Sequence, residues 1–356
     1  MNGATVCAVI PTYDRRELVL ECLAALAAQT RRVDRVIIVD NASTDGTLEA
    51  VSASAAAAQL NIGYIQMAEN VGASGGFAEG VAQALDEGAD WLWMIDNDCA
   101  PYPDALALLL AAPQALADDT VALCAGMLSV HGHWQTEYRG RYRRGLALAL
   151  PATAYAEPAV AVDYAAFAGL LVRGEAAAAV GGPKSEFFIW VDDLEWCLRL
   201  RRRGTIWLIP ASVLLHKDGN PQVPGGRLAM LRRSLRGQPD AQVWKHIYCF
   251  RNISWVRKTY DGERLSGFGW HLGQHWVRVL LFDRCKLRRM RWYLEYGLAG
   301  RRGEFRNAPP AVWAQSAGRR GGRSAVRLAS RPAGRGRRAR GPFDPIDAGC
   351  DSRLAP

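Results

Sequence analysis

Short runs that are apolar throughout alternate, over the first hundred residues, with segments whose apolar positions recur every three to four residues. Residues 6–10, 36–39, 62–67 and 91–95 are the runs; residues 17–29, 47–59 and 77–87 carry the helical spacing. Strands without polar alternation belong to a sheet covered on both faces, and the strand–helix alternation predicts parallel pairing. Farther on, the pattern predicts a helix over 103–116, strands over 121–128 and 165–172, and a helix over 192–203 closed by Gly204 at its C′ position. Short strands follow at 206–209 and 213–215, then helices rich in Trp, Tyr and Arg from 240 to 297. The loosely patterned stretch 129–160 reads as a long surface excursion. The expected fold class is therefore α/β, a mainly parallel sheet flanked by helices with a C-terminal helical extension. The expected division is 1–235 for the sheet domain, 236–300 for the helices, and 301–356 as a disordered Arg/Gly-rich tail.

Open sheets of this kind bind ligands beyond the carboxyl ends of their strands. Pro11-Thr12-Tyr13, Asp40-Asn41, the loop around Asn70, and Asp96-Asn97-Asp98 all stand at such ends, so four polar clusters converge on one rim. Charge changes little in this picture. Residues 301–356 hold 13 Arg against 4 acidic residues, which accounts for the whole net charge of +9. The remainder is balanced, and a nucleic-acid partner is not expected. The eight cysteines, at 7, 22, 99, 124, 197, 249, 285 and 350, form no CxxC pair, which favours a reducing, cytoplasmic setting over a disulfide or zinc scaffold. No signal peptide is visible, and no stretch approaches the roughly 18 apolar residues of a membrane span.

Asp96 and Asp98 lie two apart after an apolar strand, so in extended backbone they point to the same side. Two such carboxylates suit Mg²⁺ or Mn²⁺; a strand end capped by turn-forming Asp and Asn is the plainer account. Asp40 ends its strand where a carboxylate can accept hydrogen bonds from a base or ribose, while Asp45 suits a helix cap. The run Asn70-Val71-Gly72-Ala73-Ser74-Gly75-Gly76-Phe77 reads as a Gly-rich turn that either approaches phosphate or simply turns tightly; its spacing is neither GxGxxG nor a Walker loop. Asp192 with Glu195 fits a capping box, which leaves Asp193 free to take a proton from a hydroxyl. His216 fits a core or capping histidine as well as a metal ligand.

Taken in order, Pro11-Thr12-Tyr13, Val39-Asp40-Asn41-Ala42-Ser43, Asn70-x-Gly72-x-x-Gly75-Gly76-Phe77, Asp90-Trp91-Leu92-Trp93 with Asp96-Asn97-Asp98, and Asp192-Asp193-Leu194-Glu195 resemble the family 2 glycosyltransferases over about residues 4–260. Gly75-Gly76-Phe77 and Trp91-Leu92-Trp93 are similar to the galactofuranosyl- and rhamnosyltransferase-like branch. The resemblance implies an inverting enzyme of the A-type fold that moves a sugar from a UDP- or dTDP-sugar donor to a hydroxyl of a glycan or lipid-linked acceptor. It places Pro11, Thr12, Tyr13, Asp40, Asn70, Gly72, Gly75, Gly76, Asp96 and Asn97 at the nucleotide-sugar. It puts Asp96, Asp98 and His216 on Mg²⁺ or Mn²⁺, Asp193 in the role of general base, and Trp190, Asp192 and Glu195 at the acceptor. Asn97 stands where the galactofuranosyl branch often has a third consecutive Asp.

Trp270, Trp276, Leu280, Leu281, Phe282, Trp292 and Tyr293 interleave with Arg278, Arg284, Lys286, Arg288, Arg289 and Arg291. That mixture suits either a helix lying on an anionic membrane surface or one packed on the domain with a solvated basic face. A nucleotide-sugar pyrophosphorylase is the competing enzyme class, but Pro11-Thr12-Tyr13-Asp14 lacks the Gly-rich basic loop such proteins carry after the first strand. A catalytically inactive nucleotide-sugar-binding protein is the competing binding module, and the intact rim acids speak against it.

Overall fold

The computed structural model describes residues 3–143, 145–217 and 242–307. Its first half is built as the periodicity requires. Strand β1 (Val6–Thr12) is buried at every position and lies between β2 (Arg35–Asp40) and β4 (Trp91–Met94), parallel to both, while β3 (Ile62–Gln66) extends the parallel set beyond β2. Alternate residues of these strands feed two cores. Val6, Ala8 and Ile10 pack with α1 (Arg16–Ala27) on one face; Cys7 and Val9 pack with α3 (Gly72–Asp86) on the other.

Beyond β4 the sheet becomes mixed, adding antiparallel pairs to the expected α/β sheet flanked by helices. The strand β11 (Leu170–Arg173) inserts antiparallel between β4 and β6 (Thr120–Ser129). Next comes β12 (Thr205–His216), parallel to β6 and antiparallel to β5 (Cys99–Pro101) and β9 (Val160–Val162). The two short strands expected at 206–209 and 213–215 are one strand with a register shift between Ile209 and Val213. The stretch 129–160 is ordered: β7 (Arg139–Arg143) pairs with β8 (Leu146–Ala149) and with β10 (Tyr164–Ala165) in a second, three-stranded sheet.

Helix lengths depart from the periodic estimate where glycine and capping intervene. Helix α2 (Thr47–Ser52) stops well before 59. Helix α3 begins at Gly72, so the Gly-rich segment is not a turn before the helix but its first turns. Helix α4 (Ala105–Ala111) gives way to a 3₁₀ turn at Pro113–Leu116, and α5 (Gly174–Val180) follows β11. Helix α6 (Asp192–Leu200) ends before Gly204, which is therefore not a C′ residue; a side chain there would overlap the Asp119 carbonyl.

Three helices, α7 (Val243–Asp261), α8 (Leu265–Phe282) and α9 (Lys286–Arg302), enclose a third core of Ile247, Tyr248, Phe250, Phe268, Leu272 and Tyr293. Phe188 of the sheet domain joins that core. Between α8 and α9, Asp283 and Arg289 form a buried ion pair at 2.7 Å. Helix α9 runs two residues past the expected boundary at 300. The boundary at 235 and the tail beyond 307 lie outside the described residues. No helix among the described residues is long and apolar enough to cross a membrane.

Candidate active site

The parallel strands bring three polar positions to one rim by register alone. Thr12 pairs with Asp40, and Ile95 continues β4 by donating its N–H to Val9, which carries Asp96 up beside them. Asn97 Nδ2 donates to Thr12 Oγ1 at 3.1 Å and ties the acidic turn to the end of β1. The pairing of β12 with β5 sets His216 opposite Cys99. His216 Nε2 thereby comes within 3.5 Å of Asp98 Oδ1. Asp98, Cys99 and His216 place one candidate ligand atom each within 4.8 Å of one another. Asp96 stands outside that tight group.

The imidazole is oriented by a residue that sequence reasoning missed. Gln135, fully buried, accepts from His216 Nδ1 at 2.9 Å, which leaves Nε2 facing Asp98, a donor to that carboxylate when the ring is protonated and a lone pair for a cation when it is neutral. Burial would lower the His216 pKa, but the Asp98 and Asp96 charges outweigh it and raise the value. Burial and the Asp98 charge push Asp96, a half-buried residue, up to about 7. Asp98 goes the other way: burial works against its charge, yet His216 and Arg15 hold it below the usual carboxylate range. Arg15 Nη1 lies 3.7 Å from Asp98 Oδ2, a second neighbour the sequence did not announce. Cys99 is held protonated by burial and by the two acids. The donors offered are thus carboxylate oxygens and one imidazole nitrogen, and two acids crowded in partial burial gain from a cation. That set fits Mg²⁺ or Mn²⁺.

Helix α6 supplies the separate acid. Its N-cap is Val191, in left-handed conformation and without a side-chain cap, so the expected capping box of Asp192 and Glu195 does not form. Asp192 is buried in the first turn. Asp193, half-buried, accepts from the Leu194 N–H at 2.7 Å, and burial together with the Asp192 charge pushes its pKa up to about 7. Asp96 adds to that rise, and Asp192 in turn raises Asp96, so the two acidic motifs share one electrostatic environment. A further neighbour is Arg139, fully buried, which donates to the Ala125 and Ala168 carbonyls and acts on both acids. It lies in the stretch whose pattern had dissolved, so no periodicity pointed to it.

The remaining expected residues divide. Tyr13 is exposed beside the rim, as is Trp190, whose ring lies 5.3 Å from that of His246. Asp40 is buried, its oxygens accepting from Ser43 N at 2.9 Å and Tyr64 Oη at 2.7 Å, and it lines a cavity of about 330 Å³ with Thr44, Thr47 and Gln66. Asn70 Oδ1 accepts from Gly72 N at 2.8 Å, a local turn that starts α3. The glycines have packing reasons. A Cβ on Gly76 would press on Pro11, one on Gly75 on Val71, and one on Gly72, whose φ is +78°, on the Phe188 carbonyl. Glu195, expected at the acceptor, has both oxygens engaged by Arg199 at 2.8–3.1 Å and one by Tyr260 at 2.7 Å; the structure gives it the task of tying α6 to α7. Asp45 precedes the N-cap of α2, Gly46, and bridges two helix starts: it accepts from the Thr47 hydroxyl of α2 and from the first amide of α1, Arg16 N, at 3.0 Å.

A rim of acids at the carboxyl ends of an open α/β sheet, with two carboxyls raised to about 7, is the arrangement of a ligand-binding and proton-transfer site. The family model for Glycosyl transferase family 2 matches residues 7–153. The galactofuranosyltransferase GlfT1 of Mycobacterium tuberculosis is 34% identical over 284 residues, 77% of this chain and 87% of that protein. The GlfT1 of Mycolicibacterium smegmatis is 29% identical over 84% of this chain and 97% of its own length. The chain belongs to glycosyltransferase family 2, and the pyrophosphorylase alternative falls with that membership. Among solved structures, the mannosyltransferase PcManGT from Pyrobaculum calidifontis, in complex with GDP-Man and Mn²⁺, is 19% identical with a TM-score of 0.47, over 88% of this chain and 79% of that one. At that distance its ligands are facts about that enzyme alone.

Proposed function

We propose that the protein is an inverting galactofuranosyltransferase, taking UDP-galactofuranose as donor and a hydroxyl of a glycan or lipid-linked glycan as acceptor. The donor is argued from the relatives at 34% and 29% identity, both galactofuranosyltransferases. The mechanism is argued from one observation above all: a half-buried carboxyl, Asp193, with its pKa near 7, shares a rim with the Asp98–His216 pair.

Asp193 accepts the proton of the acceptor hydroxyl as that oxygen forms its bond to the anomeric carbon and the bond to the diphosphate breaks on the opposite face. A carboxylate of pKa near 7 is a stronger base than an ordinary one, about half ionised at pH 7 and increasingly so above it. Asp98, His216 and Asp96 would hold a Mg²⁺ or Mn²⁺ ion, which when bound supplies positive charge to the departing diphosphate. Gln135 keeps the His216 Nε2 lone pair directed to that position. Thr12, Tyr13 and Asp40 would receive the nucleoside, and Trp190, exposed beside the base, would face the acceptor.

The exposed side chains of Leu265, Trp270, Val277, Leu280, Leu281 and Leu287, with Arg284, Lys286 and Arg291 at one end, support a peripheral seat on an anionic membrane. Such a seat would bring a lipid-linked acceptor to the rim.

The test of the chemistry is Asp193→Asn, assayed for transfer from UDP-galactofuranose with manganese. Turnover should fall by more than about 100-fold, while calorimetry shows UDP affinity unchanged. Wild-type turnover in that variant would remove Asp193 as the base, and no UDP release from UDP-galactofuranose by the unaltered protein would remove the donor.

A further inference from the structure

The segment leading into α6 holds an unusual run of backbone. Phe188, Trp190 and Val191 all lie in the left-handed region, with φ of 66°, 62° and 73°. For bulky and β-branched residues that conformation is strained, and it persists only where the surroundings over-determine it. Here the determining group is on another element. Asn252 of α7, fully buried, directs its Nδ2 at three carbonyls of this segment: Phe187 at 3.1 Å, Ile189 at 3.1 Å and Trp190 at 2.9 Å. Its neighbour Arg251, equally buried, donates to the Phe187 carbonyl at 3.0 Å. The Phe188 carbonyl between them accepts from Ser74 N at 3.2 Å and fills the space left by Gly72. One carboxamide thus gathers the backbone that joins the first turn of α3 to the first turn of α6.

We infer that Asn252 is a positioning residue: from the C-terminal helices it holds residues 187–191 in the left-handed path that aims Asp193 at the acceptor. The inference rests on the reading of Asp193 as base. Without the carboxamide, the Ile189 and Trp190 carbonyls lose their side-chain donor, the Phe187 carbonyl keeps only Arg251 and the Ile189 N–H, and Val191 returns to negative φ. That change rotates the start of α6 and displaces the Asp193 carboxylate, whereas Asp98 and His216, held by β5 and β12, stay in place.

The experiment uses the full chain and follows UDP release from UDP-galactofuranose with manganese, alongside UDP affinity by calorimetry. Asn252→Ala should lower kcat by about 100-fold, the scale of an ångström-level misplacement, with donor KM and UDP affinity held. Adding Val191→Gly should restore at least about tenfold of the loss, because glycine takes positive φ without strain. Wild-type kcat in Asn252→Ala, a parallel fall of UDP affinity, or a double variant with no recovery would each overturn the role. If Asn252→Ala does not fold, the double variant decides: folded and turning over supports the inference, and anything else overturns it. Asp193→Asn is measured beside them. An inactive Asp193→Asn with an unaffected Asn252→Ala removes only the positioning role; an active Asp193→Asn removes the base and the positioning role together.

Discussion

At the scale of single residues, the site works by setting carboxylates against one another. Asp96, Asp98, Asp192 and Asp193 are crowded in partial burial, so their charges cannot all be held at the ordinary carboxylate range of about 4. Asp98 keeps its charge through His216 and Arg15; Asp96 and Asp193 are pushed to about 7. The consequence for Asp193 has a definite sign. A base is active when deprotonated, so turnover should fall as pH drops through about 7. Burial is the largest cause of the rise and the Asp192 charge the next. Asp192→Asn should therefore move the acid limb of the pH–rate profile to lower pH, as initial rates across the neutral range would read out. A limb that stays in place would mean that Asp192 does not tune the base. The acids themselves could be picked out in the chain, because the ordered set of motifs around them weighed against the plainer account of a capped strand end. Their helpers could not: Gln135 and Arg139 carry no motif, and their roles follow from burial alone.

At the scale of elements, the start of α3 shows a glycine-rich sequence doing two things. Glycine within a helix costs about 1 kcal/mol relative to alanine, so several in the opening turns of one helix demand a reason. That reason is contact with β1, β2 and the segment around Phe188. Gly80 is the clearest case, since a Cβ there would overlap Val9 of β1 and press on Val39 of β2. Both are stiff β-branched side chains in central strands, and overpacking of that kind costs typically 1–3 kcal/mol. Gly80→Ala should thus destabilise the protein by about 1 kcal/mol net, lowering Tm in thermal denaturation. A raised Tm would show that α3 can lift off the sheet freely. Periodicity located α3 but set its start five residues late, because glycines carry no hydrophobic signal. The parallel half of the sheet was legible for the opposite reason: its strands are apolar on both faces.

At the scale of the whole molecule, the sheet domain and the C-terminal helices are tied together around the start of α6. Phe188 enters the helical core, Glu195 bonds Tyr260, and Asn252 bonds the backbone just before Asp193. The same helices carry the exposed apolar residues from Leu265 to Leu287. If these seat on a membrane, the protein should co-sediment with vesicles containing anionic lipid, and Trp270→Ser with Leu281→Ser should weaken that binding severalfold without changing UDP affinity. Equal recovery with neutral and anionic vesicles would remove the electrostatic part of the idea, and no binding to either would remove the surface itself.

The pattern of apolar positions, read without any structure, determined the α/β class, the order of the first strands and helices, and the rim on which the acids stand. These are local properties: a face of a strand or helix is encoded within a few residues of itself. Tertiary structure alone decided that β12 lies beside β5 and so brings His216 to Asp98, that β11 turns the sheet mixed, that Glu195 serves α7, and that Asn252 reaches the strained backbone before Asp193. Each of those joins residues tens of positions apart, through strand register and core closure, and no local spacing in the chain carries that information.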